Sequence, residues 1–278
     1  AFLLCYNINQ VGKKYKGFKR KKYIMKDQCV CISGSTHGIG YGIAEAFAKK
    51  GARIVINSHL DDNGALEKLS KLTECHYVKS DLSTVTGAEY LVEKSFELLG
   101  SLDTLINNAG TFLDQDFEDI SEENFNNTIN LNVRGYMFAS KAFSKKVTHN
   151  NKNKSILCIG SSNSKAAEKN SVIYDTSKGA VLMMIRSLAI SLADKNIRVN
   201  GIGPGILETP LTKEGLEKGN NKQVLKSQIP LGRIGLPKDI GGAAVFLSSE
   251  EAEYITGQML YIDGGILANQ MNWDETLL

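Results

Sequence analysis

The sequence predicts a doubly wound α/β fold, one parallel sheet of about seven strands with helices on both faces. Three observations predict it. Short apolar runs alternate with amphipathic runs along the whole chain after residue 27, with no linker or internal repeat between them. Apolar residues make up 42% of the 278, enough for a sizeable core, and only four prolines interrupt the chain. A glycine-rich turn, Ser33-Gly34-Ser35-Thr36-His37-Gly38-Ile39-Gly40, joins the first apolar run to the first amphipathic one.

Taken in order, Cys29 to Ile32 reads as the first strand, and its two cysteines as small hydrophobes packed in a core. The glycine turn follows, then a helix from Tyr41 to Lys50 with Ile43, Ala44, Phe47 and Ala48 on one face. Strand, glycine turn and helix is the arrangement that binds a dinucleotide phosphate, because glycines admit the pyrophosphate and a helix N-terminus offers free N–H groups. Arg53 to Asn57 is the second strand and ends in Ser58 and His59. An NAD-selective site places an acid there to accept from the ribose 2′-hydroxyl. None stands at Ser58, so Ser58, His59 and His37 are expected to meet a 2′-phosphate, with NADP ahead of NAD. His76 to Ser80 is the third strand. Asp81 after it is either a ligand contact at the strand's carboxyl end or the N-cap of a helix over 86–99. Leu102 to Ile106 is the fourth strand and runs into Asn107-Asn108-Ala109-Gly110.

Glu122 to Lys146 reads as one long helix, and Asn132 inside it, by residue type alone, as a solvent-facing Asn. Ser155 to Ile159 is the fifth strand and leads to Ser161. Tyr174 and Lys178 stand four apart at the start of an apolar helix to Ala193, on one face. Arg198 to Gly203 is the sixth strand, followed by Pro204-Gly205. Residues 207–230 read as polar and irregular, 237–248 as a helix and 258–263 as the last strand.

The formal net charge of +3 hides an asymmetry. Residues 1–26 carry eight basic residues and no acid, so the rest of the chain carries −5, eight below the total. Such a domain presents no nucleic-acid surface. The organisation expected is a basic extension over 1–26, a dinucleotide-binding domain over 27–268 and a tail over 269–278. The extension's apolar start precedes its charges, the reverse of a secretory signal. It reads as a poorly ordered arm, with an organelle transit segment as the alternative. No apolar run is long enough to span a membrane. Five cysteines without paired spacing point to a reducing, cytoplasmic setting. The histidines His37, His59, His76 and His149 lack ligand spacing, and no metal is expected.

Taken together, these motifs resemble the short-chain dehydrogenase/reductase family in its roughly 250-residue form. The matching residues are Gly34-x-x-x-Gly38-x-Gly40, Asp81-Leu82, Asn107 to Gly110, Asn132, Ser161, Tyr174-x-x-x-Lys178, Pro204-Gly205-x-x-x-Thr209 and Asp263-Gly264-Gly265, with Ser161 thirteen residues before Tyr174. The resemblance implies a Rossmann sheet and hydride transfer between NADP or NAD and an alcohol or ketone. It implies a catalytic set of Asn132, Ser161, Tyr174 and Lys178, with Tyr174 as acid/base, Ser161 on the substrate oxygen and Asn132 on a relay water. The turn Gly34, Ser35, Thr36, His37, Gly38, Ile39 and Gly40 would hold phosphate. Asp81 and Leu82 would hold adenine, and Asn108, Ala109 and Gly110 would line the cleft. Lys178 would hold the nicotinamide ribose; Pro204, Gly205, Leu207 and Thr209 would meet the nicotinamide side. An ordinary tyrosine ionises near pH 10, and Lys178 at i+4 is expected to favour the phenolate.

The substrate expected is a small alcohol or ketone of sugar-acid or hydroxy-acid type, because Gln258 to Ala268 is similar to the same stretch of sugar-acid dehydrogenases. The glycine turn also resembles 3-hydroxybutyrate dehydrogenases, but Phe112 stands where that group has Gln. A 3-oxoacyl-carrier-protein reductase is the alternative; an acidic carrier would meet Lys213, Lys218, Lys222 and Lys226. A non-catalytic dinucleotide-binding scaffold ranks below both, since Tyr174 and Lys178 are kept. Assembly as a homotetramer or homodimer is implied through the helices over 122–146 and 174–193.

Overall fold

Residues 25–147 and 154–269 are described in the computed structural model of the chain. Nearly all of the basic extension, His149 and nearly all of the tail lie outside them. Seven strands form one sheet: β1 (Cys29–Ile32), β2 (Arg53–Ser58), β3 (Cys75–Lys79), β4 (Thr104–Asn107), β5 (Lys154–Ile159), β6 (Ile197–Pro204) and β7 (Met259–Ile262). All pairs are parallel, in the order β3-β2-β1-β4-β5-β6-β7.

Parallel strands covered on both faces must be apolar on both, and β1, β4, β5 and β6 are buried at every residue. Alternation along each strand feeds two separate cores. Cys29, Cys31, Val55, Leu105, Ile156 and Val199 point to one side, under helices α3 (Val85–Leu99), α5 (Tyr136–Lys146) and α6 (Val172–Ser191). Val30, Ile32, Ile54, Ile56, Leu157 and Ile202 point to the other, under α1 (Gly38–Ala48), α2 (Ala65–Ser70) and α9 (Lys238–Ser248). Cys29 and Cys31 are thus core residues of one face.

The remaining helices correct the sequence reading in three places. Helix α2 was not anticipated; it has six residues and buries only Ala65 and Leu69. The stretch over 207–230 is not irregular but holds α7 (Lys213–Glu217) and α8 (Asn221–Gln228). The long helix over 122–146 is not continuous. Helix α4 (Glu122–Ile129) passes into a π-helical segment, Asn130–Gly135, before α5 resumes the regular pitch. Asn132 lies in that segment and is wholly buried, not solvent-facing. A π-turn inside a helix commonly marks a functional site. Among the described residues no helix is long and apolar enough to cross a membrane.

Candidate active site

Strand order reverses between β1 and β4, and ligands of open parallel sheets bind beyond the strand ends at such a reversal. A cleft of about 540 Å³ opens there, within the size range of small-molecule sites. It is lined by Gly34, Thr36, His37, Gly38 and Ile39 of the turn, Ser58 at the end of β2 and His59 next to it, Asp81 and Leu82 after β3, Asn108, Ala109 and Gly110 after β4, and Thr209. Gly34 and Gly38 hold left-handed φ values of +59° and +57°, which favours glycine. A β-carbon at Gly34 would stand 2.7 Å from Ala109 Cα, and one at Gly40 would stand 2.3 Å from the Gly34 carbonyl oxygen. The turn is therefore pressed against the β4 loop and cannot carry side chains there. His37 precedes α1 with no side-chain cap bond, so the helix's first N–H groups face the cleft uncapped by that residue. The residues fit an elongated anionic cofactor at this end.

Three side chains hold the turn in place. Asn57, which no sequence motif singled out, accepts from Gly34 N–H at 3.1 Å and donates to the Val78 carbonyl at 3.0 Å. The Asn108 amide donates to the carbonyls of Ser33 and Gly34 at 3.0 and 2.8 Å. The Ser35 hydroxyl donates to the Ile32 carbonyl at 2.6 Å and accepts from Asn57 N–H at 3.0 Å. Ser35 and Gly40 thus sit behind the turn instead of on the cleft wall. Leu207 is buried against Gly235, and Gly205 is covered by Asp263, whose Cα would lie 2.7 Å from an added β-carbon. Pro204, Gly205 and Leu207 stand apart from the cleft lining, unlike Thr209. Asp81 does not cap α3. Its carboxylate accepts from the Ser83 N–H and hydroxyl, both at 2.8 Å, while Thr84 accepts from Gly87 N–H as the N-cap.

The second half of the site lies at the start of α6. Tyr174 and Lys178 stand on consecutive turns, and Ser161 after β5 acts on the Tyr174 hydroxyl in the direction of the phenolate. Ser161 is held in turn: its hydroxyl donates to Asn163 Oδ1 at 3.1 Å, and Asn163 Nδ2 donates to Asp175 at 2.7 Å. The buried Lys178 ammonium donates to the Ile159 carbonyl at 3.1 Å and lies 5.5 Å from the Tyr174 ring centre. Asn132 reaches from the π segment to donate to the Thr111 carbonyl and the Ser177 hydroxyl, each at 3.0 Å. Its oxygen and the Lys178 ammonium flank Gly110, 3.1 and 3.7 Å from where a β-carbon would stand. Phe112 packs edge-on to the Tyr174 ring with centres 5.0 Å apart.

Electrostatics here differ from the sequence expectation. Burial pushes Tyr174 up to about 12; the Ser161 hydroxyl opposes it, and the Glu168 and Asp175 carboxylates push the same way as burial. Burial also pushes Lys178 down to about 8. Burial dominates both groups in the free protein, so Tyr174 stands high although the Lys178 ammonium lies 5.5 Å from its ring centre. Tyr174 accordingly rests as the neutral phenol.

A family model described as "Enoyl-(Acyl carrier protein) reductase" matches residues 34–267. Glucose 1-dehydrogenase 2 of Bacillus subtilis (strain 168) is 35% identical over 240 residues, covering 84% of this chain and 93% of its own. L-rhamnose 1-dehydrogenase (NAD(P)(+)) of Azotobacter vinelandii is 32% identical over 253 residues, covering 88% and 99%. A solved short-chain type dehydrogenase/reductase from Mycobacterium marinum shares the fold with a TM-score of 0.84 at 25% identity, over 89% of this chain and 98% of that one.

Proposed function

The chain belongs to the short-chain dehydrogenase/reductase family and is an NAD(P)-dependent oxidoreductase of CH–OH groups, and we propose that it oxidises a sugar or sugar-type hydroxy compound with Tyr174 as the acid/base. The observation that carries this reading is the buried Lys178 ammonium, which lies 5.5 Å from the Tyr174 ring centre and beside Gly110 of the cleft wall. Two relatives named for oxidation at position 1 of a sugar support the substrate class.

The nicotinamide cofactor supplies the hydride acceptor when bound. Gly34 and residues 36–39 of the turn would hold its phosphates, Asp81 and Leu82 its adenine, and Lys178 the nicotinamide ribose. Asn108, Ala109 and Gly110 line the intervening wall, with Thr209 at the carboxamide. Ser161 and Tyr174 meet on the substrate oxygen. In oxidation Tyr174 first loses its own proton to solvent and the phenolate then takes the hydroxyl proton; in reduction the phenol gives its proton to the carbonyl oxygen. Lys178 stabilises the phenolate that exists between these events, and Asn132 fixes the loop at Thr111 beside it.

The acyl-carrier alternative needs a free basic face. Lys222 is paired with Glu208 at 3.1 Å and Lys213 with Glu217 at 4.0 Å, which weighs against it. The test is a panel of aldoses, sugar acids and a 3-oxoacyl thioester, each with NADP or NAD, followed by nicotinamide absorbance. Cofactor reduction with a sugar is expected. Turnover of the thioester alone would overturn the sugar reading.

NADPH is expected to bind more tightly than NADH, because Ser58, His59 and His37 line the cleft where an NAD-selective site has an acid. Replacing both histidines with Ala should weaken NADPH about tenfold, the loss of one charge-assisted bond, and leave NADH unchanged. Fluorescence titration checks it; equal loss for both cofactors would assign the histidines to the shared part of the nucleotide.

The same reading includes domain bounds of 27–268, a reducing cytoplasmic setting consistent with the free thiols of Cys29, Cys31, Cys75 and Cys158, and pairing of copies into a dimer or tetramer. Exposed Met183 and Ile190 on α6, with Phe125 on α4 and Met137 on α5, support the pairing.

A further inference from the structure

Three buried titratable groups meet beneath Tyr174, and the mechanism above uses only one of them. They are Lys178 on α6, Cys158 on β5 and Tyr136 on α5. Tyr136 is wholly buried. Its hydroxyl donates to the Ile159 carbonyl at 3.3 Å, the same oxygen that accepts from the Lys178 ammonium at 3.1 Å. The Lys178 nitrogen lies 5.8 Å from the Tyr136 ring centre and 5.5 Å from that of Tyr174. The ammonium is thus held against one carbonyl by two aromatic rings, within the range of cation–π attraction.

We infer that Tyr136 is a positioning residue for Lys178: its ring and its hydroxyl, through the shared Ile159 carbonyl, set where the ammonium sits and how firmly that carbonyl holds it. The inference rests on the reading of Lys178 as the cation that serves Tyr174. A carbonyl has two lone pairs, and two donors on one oxygen compete for its charge. Burial keeps the Tyr136 hydroxyl protonated, so it acts as a standing donor. Removing it leaves Ile159 to Lys178 alone, which favours the ammonium. The other groups facing Lys178 are Cys158 from β5, Tyr174 from its own helix and the neutral Asn132 across Gly110.

The test is carbon NMR titration of the lysine ε-methylene in the cofactor-free, full-length protein, with Lys178 assigned by the signal lost in Lys178→Met. The wild-type midpoint is expected near about 8. Tyr136→Phe keeps the ring and leaves Ile159 with a donor, and should raise the midpoint by about 0.5, the scale of one hydrogen bond redistributed. Fluorotyrosine at 136 donates more strongly in the same shape and should lower it. The fluorotyrosine protein decides the question if Tyr136→Phe does not fold. A merely structural Tyr136 lowers stability and moves neither midpoint, and unchanged midpoints overturn the inference. Full activity in Tyr174→Phe would instead overturn the catalytic reading, so the two failures are told apart.

Discussion

Tyr174→Phe is expected to lower kcat/KM by roughly 10²–10⁴-fold, the ordinary worth of a positioned acid/base, with NADPH affinity unchanged. The substitution removes one hydroxyl and keeps the ring that Phe112 packs against at 5.0 Å, so the fold and cleft should survive. The direction of the pH dependence follows from the free protein, where Tyr174 is pushed up to about 12. A group held protonated is ready to donate, so reduction should be nearly flat through neutrality. Oxidation requires the phenolate, so its rate should climb with pH until the bound-state ionisation is passed. Initial rates in both directions across pH, with cofactor affinity measured alongside, check the prediction. Wild-type turnover by Tyr174→Phe would assign the proton step to another group.

Lys178→Met should do two opposite things, abolishing most turnover while raising thermal stability at neutral pH. Lys178 titrates at about 8 in the folded protein against an ordinary 10.5. Below the folded value the buried ammonium is penalised by up to roughly 3 kcal/mol. The penalty falls as pH rises from about 8 towards 10.5, so this group alone makes the wild type more stable across that window. Met fills similar volume without the charge, at the loss of one hydrogen bond to Ile159. The gain should be a few degrees in Tm near pH 7 and should disappear at alkaline pH. Paired melts at the two pH values check it. A variant less stable than wild type at neutral pH would show that the carbonyl and the two rings more than offset the burial of the charge.

The strands and the glycine turn were legible because their signals are local. An apolar run between turn residues announces a buried strand, and Gly34 and Gly40 are required by the turn's close contacts and Gly38 by its left-handed backbone. Helix α2 was not legible, since six residues with Gly64 in front and two buried side chains carry no helical period. Helices α7 and α8 failed for a similar reason, with Leu216 the one fully buried residue between them. At the site, pattern outperformed residue type. Asn132 in isolation reads as solvent-facing, yet its place in the ordered set of motifs pointed inward, where the structure has it. Asn57 and Tyr136 belong to no motif. Their roles depend on which backbone groups the sheet brings beside them, Gly34 N–H for one and the Ile159 carbonyl for the other, and that is tertiary information. The height of Tyr174 is not legible in the sequence, because spacing along a helix says nothing of burial.

Thr128, Asn132, Tyr136 and Ser140 are all buried, at a spacing of four. A regular α-helix turns about 100° per residue, so each step of four overrotates by about 40° and three steps by about 120°. Such a row should wind off the buried side. It stays there because the wider π turn over Asn130–Gly135 takes up the surplus. Chain length therefore sets the alignment of this buried row. Deleting one residue within 130–135 would restore an unbroken α-helical register and swing the side chains on one side of the gap out of phase with those on the other, separating Asn132 from Tyr136 without changing either. Substitutions in this stretch act locally, whereas a single-codon loss would act on the whole row at once.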